Sequence, residues 1–242
     1  MSTTTHRPAG PALLDLPGQT HVAEGPLDLN GMYLAHHAFR RDLASFAAAA
    51  AGTPVGEIDV WRGLAVRWER FSHVLHHHHT TEDDVLWPQL LDLVDADGDT
   101  AGRATLEAME AEHQLIDPLL AACAEGFARM ADRPDEETRS RLAGTTRQAC
   151  DVLGEHLRHE ETGALPIVQR LLPQEGWDRV EEAAGSGATF ARTRFLVPWV
   201  ADGLTPEQRD TAFSSVGNGF RVLLWFTRRR YARETALAFR YA

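Results

Sequence analysis

Two short stretches of this 242-residue chain share one spacing: His78-x-x-x-Glu82 and His156-x-x-x-Glu160. On an α-helix four residues come back to within about 40° of the start, so each pair projects from one face. Six residues after each glutamate stands a proline, Pro88 and Pro166, where the helix should kink or end. The repeat extends further, because His36 precedes His78 by 42 residues and His113 precedes His156 by 43. The chain therefore reads as two helical hairpins, each giving one histidine from its first helix and a His/Glu pair from its second. Set head to head, they place four imidazoles and two carboxylates around one centre. Imidazoles that cap and carboxylates that bridge suit iron or manganese. No cysteine lies at ligand spacing, which disfavours a structural zinc site.

The elements that must position these residues are helices. From about Asp28 the apolar residues recur at steps of three and four, in stretches near 28–50, 57–93, 102–131 and 135–172. Breaks fall at Ala51-Gly52-Thr53-Pro54, Asp97-Gly98-Asp99 and Arg133-Pro134-Asp135. Four amphipathic helices with short connections predict an all-α, up-down-up-down four-helix bundle. The predicted core stripes run Met32, His36, Phe39, Leu43, Phe46; Leu64, Trp68, Phe71, Leu75, His78, Glu82, Val85; Leu106, Met109, His113, Ile116, Leu120, Cys123, Phe127; and Leu142, Thr145, Ala149, Val152, His156, Glu160, Ile167. A single histidine on such a stripe is ordinarily a hydrogen-bonded core residue. Four in repeated positions with two acids need something to satisfy them, and a metal does so.

Phase sorts the neighbours. In His76-His77-His78-His79 only His78 continues the chosen stripe; His76 points to solvent, and His77 and His79 flank or support the site. His37 lies about 100° from His36. Asp117, four residues after His113, is open between a seventh ligand, a supporting hydrogen bond and a surface acid, and Glu161 is open too. Other motifs fall away. His159-Glu160-Glu161-Thr162-Gly163 lacks the second histidine of a zinc-protease helix, and Glu110-Ala111-Glu112-His113 stands alone where ferritin-type sites need two such motifs. Asp95, Asp97 and Asp99 resemble a calcium loop, but position 106 is Leu where a closing Glu is needed. His73-x-x-x-His77 would fit a mononuclear bundle transferase but leaves both repeated glutamates unexplained.

With these residues in place the chain resembles the hemerythrin-like, or HHE cation-binding, family. The flanking segments His36-His37-Ala38-Phe39-Arg40-Arg41-Asp42 and Glu82-Asp83-Asp84-Val85-Leu86-Trp87-Pro88 look like that family too, and the resemblance covers about residues 28–172. It implies a bundle holding two non-heme irons joined by carboxylates and an oxo or hydroxo bridge. The ligands it implies are His36, His78, Glu82, His113, His156 and Glu160. Oxygen-carrying hemerythrins have a second histidine four residues after the third-helix one, where this chain has Asp117. They have Asp five residues after the fourth-helix histidine, where it has Glu161. Fewer imidazoles imply more open coordination, which favours reaction with dioxygen or peroxide, of catalase or oxidase type, or redox sensing, over oxygen carriage.

Composition sets the remaining bounds. At 43% hydrophobic and 24% charged the chain is globular. All 24 basic residues are arginine and the net charge is −11, which argues against nucleic acid as a partner. Cys123 and Cys150 are too few for a disulfide framework and read as core residues. Met1 to Gly25 lacks the features of a signal peptide, so a cytoplasmic protein is expected. Residues 1–27 are expected to be a disordered leader, 28–172 the bundle, and 173–242 a helical extension packed on it. Within the extension, Trp177 to Ala184 and Thr189 to Ala201 read as helical, and Thr205-Pro206-Glu207-Gln208 as a capping box. The Arg-rich end from Gly219 is expected to pack Val222, Leu223, Trp225 and Phe226 on the bundle. That reading is preferred over a helix that binds a membrane surface or a partner.

Overall fold

The four predicted stripes do form helices, and the two prolines decide how two of them run. Helix α1 spans Asn30–Gly52 and α2 Ile58–Thr81. A π-turn, Glu82–Leu86, leads from α2 into α3, Trp87–Asp97. Helix α4 spans Thr100–Asp132 and α5 Glu136–His159; a second π-turn, Glu160–Ala164, leads into α6, Leu165–Leu171. Neither proline ends its helix. Proline has no N–H and its ring crowds the carbonyl four residues back, so an unbroken α-helix would be strained at Asp84 and Thr162. The chain widens instead, and the N–H groups of Trp87 and Leu165 bond to the carbonyls of Glu82 and Glu160, five residues back. Asp99 and Asp135 cap α4 and α5 by accepting from the N–H groups of Gly102 and Thr138.

This computed structural model describes residues 12–187, 189–213 and 218–242, whose regular structure is helical with no strand. Helix α1 lies along α5, α5 along α4 and α4 along α2. Their apolar residues form two clusters rather than one. Leu34, Leu86, Met109 and Ala164 belong to the first; Ala38, Leu75, Ile116 and Leu153 belong to the second. Helices α1 and α4 pass from the first cluster to the second, while α2–α3 and α5–α6 pass from the second to the first. The histidines and glutamates of the stripes occupy the layer between. The buried positions differ from the predicted stripes by one residue at three points. Leu86 is buried rather than Val85, because the π-turn inserts an extra residue of register, and Thr146 and Leu153 are buried rather than Thr145 and Val152.

From residue 12 the expected leader is packed rather than disordered, while residues 1–11 lie outside the described residues. Leu14, Leu16, Ala23 and Leu27 are buried in the first cluster. Side chains fix the backbone there: Leu14 N–H donates to Asn30 Oδ1 at 3.1 Å, Ala23 N–H to the Tyr33 hydroxyl at 2.8 Å, and Leu27 N–H to Gln169 Oε1 at 3.0 Å. Polar composition concealed these few large apolar anchors.

Four more helices follow: α7, Gln174–Gly185; α8, Phe190–Ala201, with Pro198 inside it; α9, Pro206–Ala212, opened by the predicted capping box; and α10, Asn218–Ala238. Phe195 and Trp199 of α8 and Tyr231 and Ala238 of α10 join the second cluster. At their centre Arg67, 4% exposed, donates from Nε to Asp42 Oδ2 at 2.7 Å and from Nη2 to the Tyr231 hydroxyl at 2.6 Å. Its guanidinium lies 5.0 Å from the Phe195 ring centre and 4.7 Å from that of Tyr231. This anchorage sets the phase of α10 and corrects one expectation. Leu223 is partly buried, but Val222, Trp225 and Phe226 face outward at 55%, 61% and 69% exposure.

Candidate metal centre

Five imidazoles and two carboxylates meet in the layer between the two apolar clusters. His36, His78, Glu82 and Glu160 form one group able to hold a metal ion, and His79, His113 and His156 form another; within each, the ligand atoms lie within 4.8 Å of one another. His36 Nε2 is 3.1 Å from Glu160 Oε2, and His78 Nε2 is 3.0 Å from Glu82 Oε1. In the second group His113 Nε2 and His156 Nε2 are 3.1 Å apart, and the His79 ring stacks on His113 with centres 4.0 Å apart. The glutamates span the groups. Glu82 Oε2 is 3.6 Å from His113 Nε2, and Glu160 Oε2 is 4.0 Å from His156 Nε2. Each of these glutamates is also the first residue of a π-turn, a feature that recurs at functional sites because it re-aims a side chain within a helix.

Three histidines are aimed by acids behind them. Nδ1–H of His36 donates to Glu161 Oε1 at 3.1 Å, that of His113 to Asp83 Oδ1 at 2.8 Å, and that of His156 to Glu112 Oε2 at 2.9 Å. A carboxylate can only accept, so each bond turns Nε2 toward the centre and makes it a better electron donor. Glu161 is itself held by Arg40 Nη1 and by the Thr20 N–H, both at 2.7 Å, so the packed leader reaches the site's support. Glu112 also accepts from His159 Nδ1 at 2.7 Å. Phe39 walls the first group with its ring centre 5.2 Å from that of His78, and Trp199 backs Phe39 at 5.4 Å.

The inward atoms have nothing else to bind. Nε2 of His36 and His78, both nitrogens of His79 and all four carboxylate oxygens of Glu82 and Glu160 are buried without a hydrogen bond among the described residues. Such a cluster of orphaned polar atoms is costly unless a cation lies among them. The charge balance agrees. Burial and the neighbouring Glu160 carboxylate raise Glu82 well above the ordinary carboxylate range. Burial opposes ionisation of Glu160, but His36, His156 and His78 outweigh it and hold the group down at about 2. Burial likewise disfavours charged His36, yet Glu160 and Glu161 raise it to about 9. Burial, reinforced by His36, lowers His78 to about 3, and burial beside His113 keeps His79 neutral as well. His78 and His79 are thus held in the neutral form that metals bind, while His36 and Glu82 each retain a proton that a bound cation would displace.

All six residues singled out in the sequence, His36, His78, Glu82, His113, His156 and Glu160, are brought together. His79, read from the sequence as a flanking residue, joins them in the second group. Leu75 and Glu82 are seven residues apart, and that interval divides as three plus four or four plus three, so His78 and His79 both lie near the stripe. They fall on opposite sides of Glu82, about 40° and 60° away, and each serves a different group. With His79 of α2 in the second group, five imidazoles rather than four line the layer. Asp117 itself is exposed, as is His76. His37 donates to the Pro17 carbonyl, His77 donates to that of Ala184, His73 is exposed, and among the described residues neither His73 nor His77 belongs to a group able to hold a metal ion.

A helical bundle with buried histidines and carboxylates converging in its core is a metal-binding bundle. Residues 28–168 match the family model of the hemerythrin HHE cation binding domain, and the chain belongs to that family. Comparison with curated proteins and with solved structures gave no match.

Proposed function

We propose that the protein holds two iron ions, one in each histidine group, and reacts with dioxygen or hydrogen peroxide. The observation that carries this reading is the reach of the glutamates. Glu82 offers Oε1 to the side of His78 and Oε2 to that of His113, so one residue joins both groups. The reading includes an up-down-up-down bundle, supported by the alternating order in which the four long elements cross the two clusters. When bound, two irons supply two electrons to a small oxidant; manganese would suit the same donors. The chain's own residues set the conditions. Two carboxylates offset cationic charge in a dry layer, and Glu161, Asp83 and Glu112 hold three rings in place. Phe39 and Trp199 keep water from the His36 side, which has one imidazole fewer and thus more room for an incoming molecule.

Metal analysis with optical spectra of anaerobically reduced and reoxidised protein tests the reading. Close to two irons per chain and peroxide breakdown are expected. A spectral change without turnover would assign the same centre to sensing. One metal per chain, retained after Glu82→Ala and lost after His113→Ala, would place a mononuclear site on the three-histidine group and overturn the bridged pair.

A further inference from the structure

We propose that α10 docks this protein on an anionic lipid surface. Residues 219–242 hold six arginines against one glutamate, a net +5, so the rest of the chain carries −16. Tyr231 and Ala238 face the bundle, and the opposite side of the helix presents Val222, Trp225, Phe226, Arg229 and Arg233, all exposed. Trp225 and Phe226 pack edge to face, ring centres 4.7 Å apart. Among the described residues Arg228, Arg229 and Arg233 pair with no acid, while Arg221 and Arg230 are engaged by Asp210 and Glu234. Beside Trp225 runs a groove of about 530 Å³ whose basic lining is Arg209, Arg221 and Arg228. The acid in that groove, Asp202, is already bonded by the Tyr231 hydroxyl at 3.0 Å.

The occupant follows from shape, area and charge. The stripe lies on the outer side of a helix and not in a cleft, and its three apolar side chains expose on the order of 400 Å² together. That is about half of what each partner contributes to a stable protein interface. Aromatic residues interleaved with arginines on one helical face suit the headgroup region, where the rings reach the acyl boundary and the guanidinium groups meet phosphates. No described helix is long and apolar enough to cross a membrane, so α10 lies on the surface if it binds. An anionic surface also repels the acidic bundle, which leaves α10 as the face that approaches. Two copies meeting through α10 would set +5 against +5, which disfavours a symmetric dimer there.

Co-sedimentation of the full-length metal-loaded protein with vesicles tests this. Binding is expected to phosphatidylcholine vesicles containing phosphatidylglycerol, not to phosphatidylcholine alone, and to be reversed by high salt. Replacing both Trp225→Ser and Phe226→Ser should weaken binding at least about tenfold. Arg229→Glu with Arg233→Glu should weaken it by about 25-fold or more, at roughly fivefold per lost arginine. Neither variant touches the metal ligands, so unchanged metal content and helical circular dichroism separate lost docking from misfolding. The proposal is overturned by no binding to anionic vesicles, by equal binding to neutral ones, or by variants that bind as well as the parent. A concentration-dependent dimer that Trp225→Ser/Phe226→Ser makes monomeric would also overturn it, because a second copy then covers the face.

Discussion

Replacing Arg67 by methionine tests whether one buried cation fastens the C-terminal helices to the bundle. Arg67 reaches Asp42 on α1 at 2.7 Å and Tyr231 on α10 at 2.6 Å, while both Arg67 and Asp42 are almost fully buried. Removing one partner of a buried pair costs about 3–5 kcal/mol, because the other charge is stranded. Asp42 keeps a second partner, Arg41 Nη2 at 2.9 Å, so the low end of that range applies. The loss of a desolvated cation over the rings of Phe195 and Tyr231 adds about 1 kcal/mol, and the methionine packing in the vacated space offsets a similar amount. The net expectation is a loss of about 3 kcal/mol, a large part of the roughly 5–15 kcal/mol that stabilises a domain. Urea unfolding followed by circular dichroism reads this as a lower midpoint at unchanged slope. Tyr231→Phe, which removes one hydroxyl joined to both Arg67 and Asp202, should cost about 1 kcal/mol. The double variant should lose less than the sum, since the two side chains share a bond. A loss under about 1 kcal/mol for Arg67→Met, or strict additivity of the two, would refute the idea that this contact anchors the extension.

Three further outcomes follow from the geometry. His79→Ala and His113→Ala should each lose about one metal per chain, whereas His76→Ala should retain the full complement; equal retention in His79→Ala and His76→Ala, read by elemental analysis, would exclude His79 as a ligand. Glu112→Ala, which frees the Nδ1 side of His156 without removing a ligand, should weaken metal binding by about 10–100-fold in chelator competition, and an unchanged affinity would show that the ring needs no support. Ending the chain after Gly187 removes Trp199 from behind Phe39 and should lower the melting temperature, expose the second cluster to aggregation and speed autoxidation of protein loaded with ferrous iron; a monodisperse product with the parent's melting temperature and oxidation rate would show the extension to be dispensable.

The helices, the layer of buried histidine and glutamate, and six of the seven side chains that converge in it were legible in the sequence. They were so because 3.6-residue periodicity acts locally: residues three and four apart share one face whatever the helix packs against. Repetition of the His/Glu pair, some 78 residues apart, then told a site from four separate core histidines. Where two answers share one period, local reasoning stops. His78 and His79 both satisfy the spacing from Leu75 to Glu82, and only the packing of α2 against α1 on one side and α4 on the other gives each a group to join. The same limit explains the π-turns, since Pro88 and Pro166 announce a disturbance but not whether the chain stops, bends or widens. It explains α10 as well. The spacing of Tyr231, Trp225 and Val222 permits more than one inward face, and the buried Arg67 chose the side bearing Tyr231, which left Trp225 and Phe226 outside. Partner choice of that kind is a property of the assembled surface, where distant residues compete for the same contact, and no single helix encodes it.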